Sequence, residues 1–195
     1  MAAEPAVEDP ERWRADLAEY RESKDRYLGA HPNSPLPPDQ RAAFEGLSYF
    51  PPNPALRFVV ALAAHDDGET VTVETTAEGE RTYDRVGAFT FLVDGEAHSL
   101  EAYRERGSDR AGLWVPFRDE TSGEETYGAG RYLDLDPDEH RTGDGEWVLD
   151  FNYAYSPFCA YSDAYECPLV PMENWLDVRV QAGEKDYAGP GGDRA

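Results

Sequence analysis

The stretch Ala88-Phe89-Thr90-Phe91-Leu92-Val93-Asp94-Gly95-Glu96-Ala97-His98-Ser99-Leu100-Glu101-Ala102-Tyr103 decides the fold. On one side of Asp94-Gly95, apolar side chains recur at every second position, and on the other Ala97 to Tyr103 carries the same period of two. Period two is the mark of strands with one buried face. Asp-Gly favours the two-residue turn in which both central residues take positive φ. The stretch therefore reads as an antiparallel hairpin. Its register sets Phe89 opposite Leu100 and Phe91 opposite His98.

Outward from the hairpin, the text stays strand-like. Leu56–Ala63 is an apolar run suited to a central strand, and Glu69–Thr76 alternates with Val71 and Val73 on one face. Ala77-Glu78-Gly79 reads as a turn into Arg81–Val86. Further strands are expected at Gly112–Phe117, Arg131–Asp136, Glu146–Phe151 and Trp175–Gln181. Tyr153–Met172 is too rich in proline and tyrosine to be regular and reads as a long ordered loop. Before the strands, Asp9 is a good helix N-cap and Pro10 suits the first helical position. Trp13, Leu17, Tyr20, Lys24 and Tyr27/Leu28 then share one face of a helix over 10–28 that ends near Gly29. His31–Pro38 is extended, and a short helical turn follows around Asp39–Phe44. Many short strands with tight turns predict a mainly β fold. The expected architecture is an antiparallel sandwich or partly closed barrel with the N-terminal helix packed on it. The expected organisation is an acidic flexible N-terminus over 1–8, a single domain over 9–187 and a disordered glycine-rich tail over 188–195.

Composition bounds the function. The 195 residues include 40 acidic and 18 basic side chains, for a formal net charge of −22. Disorder would account for the charge but not for 40% hydrophobic and 12% aromatic residues. Adaptation to molar salt accounts for both, because charge repulsion is there screened within about 3 Å and carboxylates keep the surface hydrated. This points to a halophilic cytoplasm. It argues against nucleic acid as a partner, since no basic stripe is available to neutralise phosphates. No apolar stretch approaches the roughly 18 residues of a membrane span, and the N-terminus has no apolar signal core. Oligomeric state is left open by the sequence.

Three blocks carry a resemblance. The first is Phe44-Glu45-Gly46-Leu47-Ser48-Tyr49-Phe50. The second is Val115-Pro116-Phe117-Arg118-Asp119-Glu120-Thr121-Ser122-Gly123 continuing through Thr126-Tyr127-Gly128-Ala129-Gly130-Arg131-Tyr132-Leu133. The third is Asp150-Phe151-Asn152-Tyr153-Ala154-Tyr155-Ser156-Pro157, with Cys159-Ala160-Tyr161, Cys167-Pro168, Pro171, Glu173-Asn174 and Ala182-Gly183-Glu184-Lys185. In these the chain resembles the family catalogued as domain of unknown function 1684. Ser156 stands where an asparagine is usual and Phe158 where a proline is common. The resemblance implies one domain and brings no activity, catalytic residue or cofactor with it.

The residues themselves suggest a site. Arg131, Asp150 and Asn152, with Tyr127, Tyr155 and Tyr161, fall at strand ends or in the irregular loop, where sites tend to lie. Arginine offers a planar fork to a carboxylate or phosphate. Asp150 and Asn152 share a strand face. One reading is a pocket between the 121–131 segment and the 150–167 loop that holds a small polar or anionic metabolite. Arg131 would grip the anion, and Asp150 would orient Arg131 or act as a base. The other reading is a buried Arg131–Asp150 ion pair inside a structural or protein-interaction module, with the 153–172 loop as a rigid plug. Whether the protein is an enzyme is open, and no cofactor is implied.

Lysine is nearly absent. Lys24 and Lys185 are the only two, so a defined partner is expected for at least one of them, in a buried ion pair or in the pocket. Cys159 and Cys167 admit burial as small apolar residues, a redox pair or reversible disulfide, or metal ligation. The four histidines lack partner spacing for a metal site. His98 reads as a packed histidine rather than a base, and Gly128-Ala129-Gly130 as a close strand crossing rather than a phosphate cradle.

Overall fold

A computed structural model describes residues 2–66, 68–107 and 111–189. In chain order its elements are α1 (Pro10–Ala30), α2 (Pro38–Ala42), β1 (Arg57–Val60), β2 (Ala63–Ala64), β3 (Thr70–Glu74), β4 (Glu80–Val93), β5 (Glu96–Glu105), β6 (Leu113–Phe117), β7 (Arg131–Leu135), α3 (Pro137–His140) and β8 (Trp147–Asp150). The deciding hairpin is β4–β5. Asp94 and Gly95 take φ of 51° and 85°, and Phe89 faces Leu100 and Phe91 faces His98 as expected.

All the ladders are antiparallel. One sheet runs β2-β4-β5-β6-β7, with β3 also paired to β4, and a second sheet is β1-β8. The two pack face to face as a sandwich and do not close into a barrel. Phe58, Val60, Trp147 and Leu149 of the small sheet meet Phe89, Phe91, Val115, Phe117 and Leu133 of the large one. Phe151 lies between them, its ring centroid 5.1 Å from that of Phe117, 5.3 Å from Phe91 and 6.2 Å from Phe58. Burial of one such ring stabilises by about 1.5–3 kcal/mol.

A bulge in β4 gives the large sheet a second aromatic face. Arg85 pairs with Tyr103 but Gly87 pairs with Ala102, so Val86 is an extra residue. An extra residue reverses the side-chain alternation. Phe89 and Phe91 therefore enter the sandwich core, while Tyr83, at the same parity before the bulge, points to the other face. There Tyr83, Tyr103 and Val73 form a separate cluster with Trp114.

Two expected strands are organised differently. Leu56–Ala63 divides, because β1 joins the small sheet and β2 the large one. The chain changes sheets at Ala61–Leu62, a device by which sandwiches turn corners. Trp175–Gln181 forms no strand. It keeps one bridge, Arg118 to Trp175, and a backbone bond from the Glu120 amide to the Val178 carbonyl at 3.2 Å, while the Val180 amide and carbonyl bond to side chains, as described below.

The helix forms as its face predicts. Asp9 accepts from the Arg12 amide, and Trp13, Leu17 and Leu28 are buried. It runs two residues past Leu28, to a cap at His31. Residues 2–8 of the expected flexible N-terminus lie extended across the sandwich. The Ala3 amide donates to the Thr90 carbonyl at 2.9 Å and the Ala6 amide to the Arg57 carbonyl at 2.8 Å. Of the expected 188–195 tail, residues 190–195 lie outside the described residues.

Candidate functional site

The long loop occupies the gap between the two edges of the large sheet. At one end Tyr155 pairs with β7, exchanging backbone hydrogen bonds with Tyr132 at 2.9 and 3.1 Å. At the other end Cys167–Leu169 pairs with the end of β3. The Thr76 amide donates to the Cys167 carbonyl at 2.9 Å, and the Leu169 amide donates to the Glu74 carbonyl at 2.8 Å. The loop thus spans the second face of the sheet and separates two polar regions of different character.

The first is a closed knot around Arg131, whose side chain is fully buried. Its carboxylate partner is Asp119 at 3.2 Å, not Asp150. Its two terminal nitrogens also donate to carbonyls of the C-terminal segment, Val180 at 2.8 Å, Glu184 at 3.2 Å and Ala182, while the buried Nε has no hydrogen-bond partner among the described residues. Asp119 also accepts from the Val180 amide at 2.7 Å and the Thr121 hydroxyl at 2.8 Å. Within the segment expected as a strand, these side-chain bonds take both backbone groups of Val180. Burial pulls the Arg131 pKa down, and the Asp119 charge opposes this. The guanidinium also lies over the Phe117 ring, 5.0 Å from its centroid.

Glu184 extends the knot. Its buried carboxylate accepts from the Ser156 amide at 2.8 Å and the Tyr161 hydroxyl at 2.6 Å and pairs with Lys24 of α1. Lys24 therefore has the buried ion pair expected of one of the lysines. Lys185 lies with its ammonium 5.1 Å from the Phe50 ring centroid. Burial drives the Tyr161 hydroxyl well above the usual phenol range, and Glu184 adds to the shift.

Asp150 and Asn152 belong to a different corner. Asp150 accepts from Trp13 Nε1 at 2.7 Å, from the Asn152 amide at 2.9 Å and from its side-chain Nδ2 at 2.8 Å. Its cationic partner is Arg57 at 3.6 Å. Asn152 in turn clamps the Asn53 backbone through both side-chain atoms, at 2.7 and 2.8 Å. Burial pushes the Asp150 carboxyl up, and the bonds from Asn152 and Trp13 counter it. This corner fastens α1 and the Pro54–Leu56 turn to β8. The grouping of Arg131 with Asp150 and Asn152 in one pocket is not what the chain builds.

The second region is an open cleft of about 770 Å³ between the loop and the second face of the sheet. Tyr83, Trp114, Tyr132, Tyr155, Phe158 and Tyr165 supply its aromatic lining. Trp114 stacks on Tyr83 with centroids 4.7 Å apart and meets Tyr132 edge-on at 5.1 Å. Asp134 is exposed beside them and accepts from the Tyr155 hydroxyl at 2.5 Å. Glu105, Asp136, Asp138 and Glu166 add carboxylates, against the single basic side chain of Arg81 in the described lining. Of the site residues expected from sequence, Tyr155 and Cys167 border this cleft. Arg131, Asp150, Asn152, Tyr127, Tyr161 and Lys185 do not. Trp114 and Asp134 were missed, although the alternation of β6 and β7 contains the signal: Leu113, Val115 and Leu133 take the core face and leave Trp114, Tyr132 and Asp134 to the other.

The smaller constellations are structural. His98 packs by Phe91, ring centroids 6.3 Å apart, with Asp177 3.4 Å from Nδ1. At Gly130, φ is +103° and an added Cβ would lie 2.6 Å from the Phe117 carbonyl oxygen, so this is a close strand crossing. Among the described residues no cluster of His, Cys, Asp or Glu is placed to hold a metal ion.

An antiparallel sandwich with a capping helix, and a long loop laid over the outer face of its larger sheet, defines the class. The chain belongs to the family described as Protein of unknown function (DUF1684), whose model matches residues 42–185. It is similar to an uncharacterized protein of Haloarcula marismortui solved by solution NMR. The two share 45% identity over 91% of this chain and 96% of that one, with a TM-score of 0.69. No curated protein matches the chain. Among the described residues, no helix is long and apolar enough to cross a membrane.

Proposed function

We propose that the protein binds a small organic cation in the cleft lined by Trp114, Tyr132, Tyr155 and Asp134. The observation that carries this reading is a wall of aromatic rings, partly open to solvent, next to an exposed carboxylate. Carboxylates alone would not distinguish the cleft on a chain of net charge −22. Aromatic faces do, because they attract cations through the ring quadrupole and retain that attraction at contact range. In molar salt the long-range field is screened within about 3 Å, so contact interactions decide what binds. This reading keeps the expected small polar ligand but moves it away from Arg131, and it replaces an anion with a cation, since Arg131 is fully buried with both terminal nitrogens bonded to Asp119 and three carbonyls.

The test is an NMR titration of the labelled protein in molar potassium chloride with choline and with spermidine, using inorganic phosphate as the anionic control. Saturable shifts confined to Trp114, Tyr132, Asp134 and Tyr155, lost in Trp114→Leu, are expected for at least one cation. Shifts scattered over the acidic surface, or none, would remove the cleft. Weight would then move to the second reading, a non-catalytic module. The observation in favour of that reading is the loop's inner side, where Tyr161 and Ser156 lock onto Glu184 as a plug would.

The same charge supports a halophilic, cytoplasmic setting. Self-repulsion among unscreened carboxylates opposes the compact state, so the thermal midpoint is expected to rise steadily with potassium chloride. A midpoint indifferent to salt between dilute buffer and the molar range would contradict it.

A further inference from the structure

Cys159 and Cys167 meet behind the cleft wall. The Cys159 amide, in the middle of a turn over Phe158–Ala160, donates to the Cys167 sulfur at 3.3 Å. The Tyr127 hydroxyl lies 3.6 Å from the Cys159 sulfur. Both thiols are free, Cys159 half-buried and Cys167 buried. Cys167 is held in place on both sides of its backbone: its carbonyl takes the Thr76 amide at 2.9 Å and its amide donates to the Thr76 hydroxyl at 3.2 Å. The less buried residue thus faces a fixed one, and two donors converge on the pair. Attacking and resolving thiols have this asymmetry.

We propose that Cys159 and Cys167 are a thiol–disulfide exchange site, with Cys159 as the attacking sulfur, Cys167 as the resolving sulfur and a low-molecular-weight disulfide as the oxidant. Cys159 as thiolate attacks one sulfur of the small disulfide, forming a mixed disulfide and releasing one small thiolate. Cys167 gives its proton to solvent and attacks the Cys159 sulfur, closing the Cys159–Cys167 bond and releasing the second small thiolate. The protein loses two electrons and two protons, and the small disulfide is reduced to two thiols. The contact already divides the two protonation states. Hydrogen bonding from Cys167, opposed by burial and aided by Tyr127, pulls Cys159 down to about 6, while the same contact holds the Cys167 thiol up. Cys167 and Pro168 border the cleft, so closing the bond would tie the loop's 159–167 turn to the strand edge that forms its wall. The site stands on its own geometry and does not depend on what the cleft binds.

The full chain, reduced and kept in molar potassium chloride, is treated with glutathione disulfide and followed by intact mass and unreduced peptide mapping. The expected product has lost two hydrogens, carries a Cys159–Cys167 cross-link and is restored by dithiothreitol. Alkylation of Cys159 by iodoacetamide, measured on the unmodified sequence, should rise with a midpoint near 6, at least two units below an ordinary thiol. Cys167→Ser should stop at a glutathione adduct on Cys159. A persistent adduct on the wild-type chain, prior reaction of Cys167, or two inert thiols in the folded protein would each overturn the assignment. The first and last of these need no variant to fold.

Discussion

The Arg131 knot and the Trp114 cleft lie on opposite faces of the same two strands. Arg131 and Tyr132 are neighbours in β7, and their side chains leave in opposite directions. On the core side, a fully buried guanidinium bonds through both terminal nitrogens to Asp119 and three carbonyls, and no face of it is open to a ligand. On the other side, the partly exposed rings of Trp114 and Tyr155 and the exposed carboxylate of Asp134 border an open cleft. A concentration of polar residues in specific sequence does not by itself indicate a binding site. What separates the two regions is whether the polar groups are enclosed by the chain or open to solvent. Buried charges that are fully hydrogen-bonded serve the fold, whereas partly open aromatic faces have contact area still to give.

The largest test of this contrast is Asp119→Asn. The side chain keeps its shape, but Arg131 loses its counter-charge in a fully buried setting. Removing one partner of such a pair costs about 3–5 kcal/mol, because an uncompensated charge stays behind. The denaturant midpoint in molar potassium chloride should fall accordingly. The C-terminal segment should loosen first, since Asp119 also holds the Val180 amide. Amide exchange at Val180–Glu184 would show this as local loss of protection. A midpoint within experimental scatter of the wild type would mean that the knot is dispensable, and the line drawn between it and the cleft would fail.

Much of this architecture was legible before any coordinates. The β4–β5 register follows from Asp94-Gly95 and the period of two, because turn type fixes which residues face each other. The helix and its buried face follow from Asp9, Pro10 and the spacing of Trp13, Leu17 and Leu28. The partners of Arg131 were not legible. Asp119 and Asp150 both fall in the quoted family blocks, and local patterning has no term for which carboxylate crosses to which cation. Glu184 was passed over for its neighbour Lys185 for the same reason: the scarcity of lysine drew attention to the cation and not to the carboxylate that holds Lys24. The aromatic second face was hidden by one residue. Without the bulge at Val86, the parity of Tyr83 would assign it to the same core as Phe89. Gly87, next to the extra residue, is the one trace the bulge leaves in sequence, since a glycine inside a strand often marks one.

The smallest expected effect falls on the cleft side and completes the comparison. Asp134 is exposed, and it accepts from the Tyr155 hydroxyl at 2.5 Å. In Asp134→Asn the side-chain carbonyl still accepts that bond, and no buried charge is stranded. Stability should change by no more than about 0.5 kcal/mol, the usual range for a surface position. Asp119→Asn and Asp134→Asn are the same chemical change, one just past the end of β6 and the other within β7, on opposite faces of the sheet. Their difference in unfolding free energy therefore measures burial and pairing, not the loss of a carboxylate. If the cleft binds cations, Asp134→Asn should weaken choline or spermidine by a few-fold while leaving the fold intact, as expected for a partly exposed charge contact. Equal destabilisation by the two variants would place Asp134 inside a structural network of its own. The cleft would then be a second knot that happens to be open, and the aromatic face would have to be explained by packing.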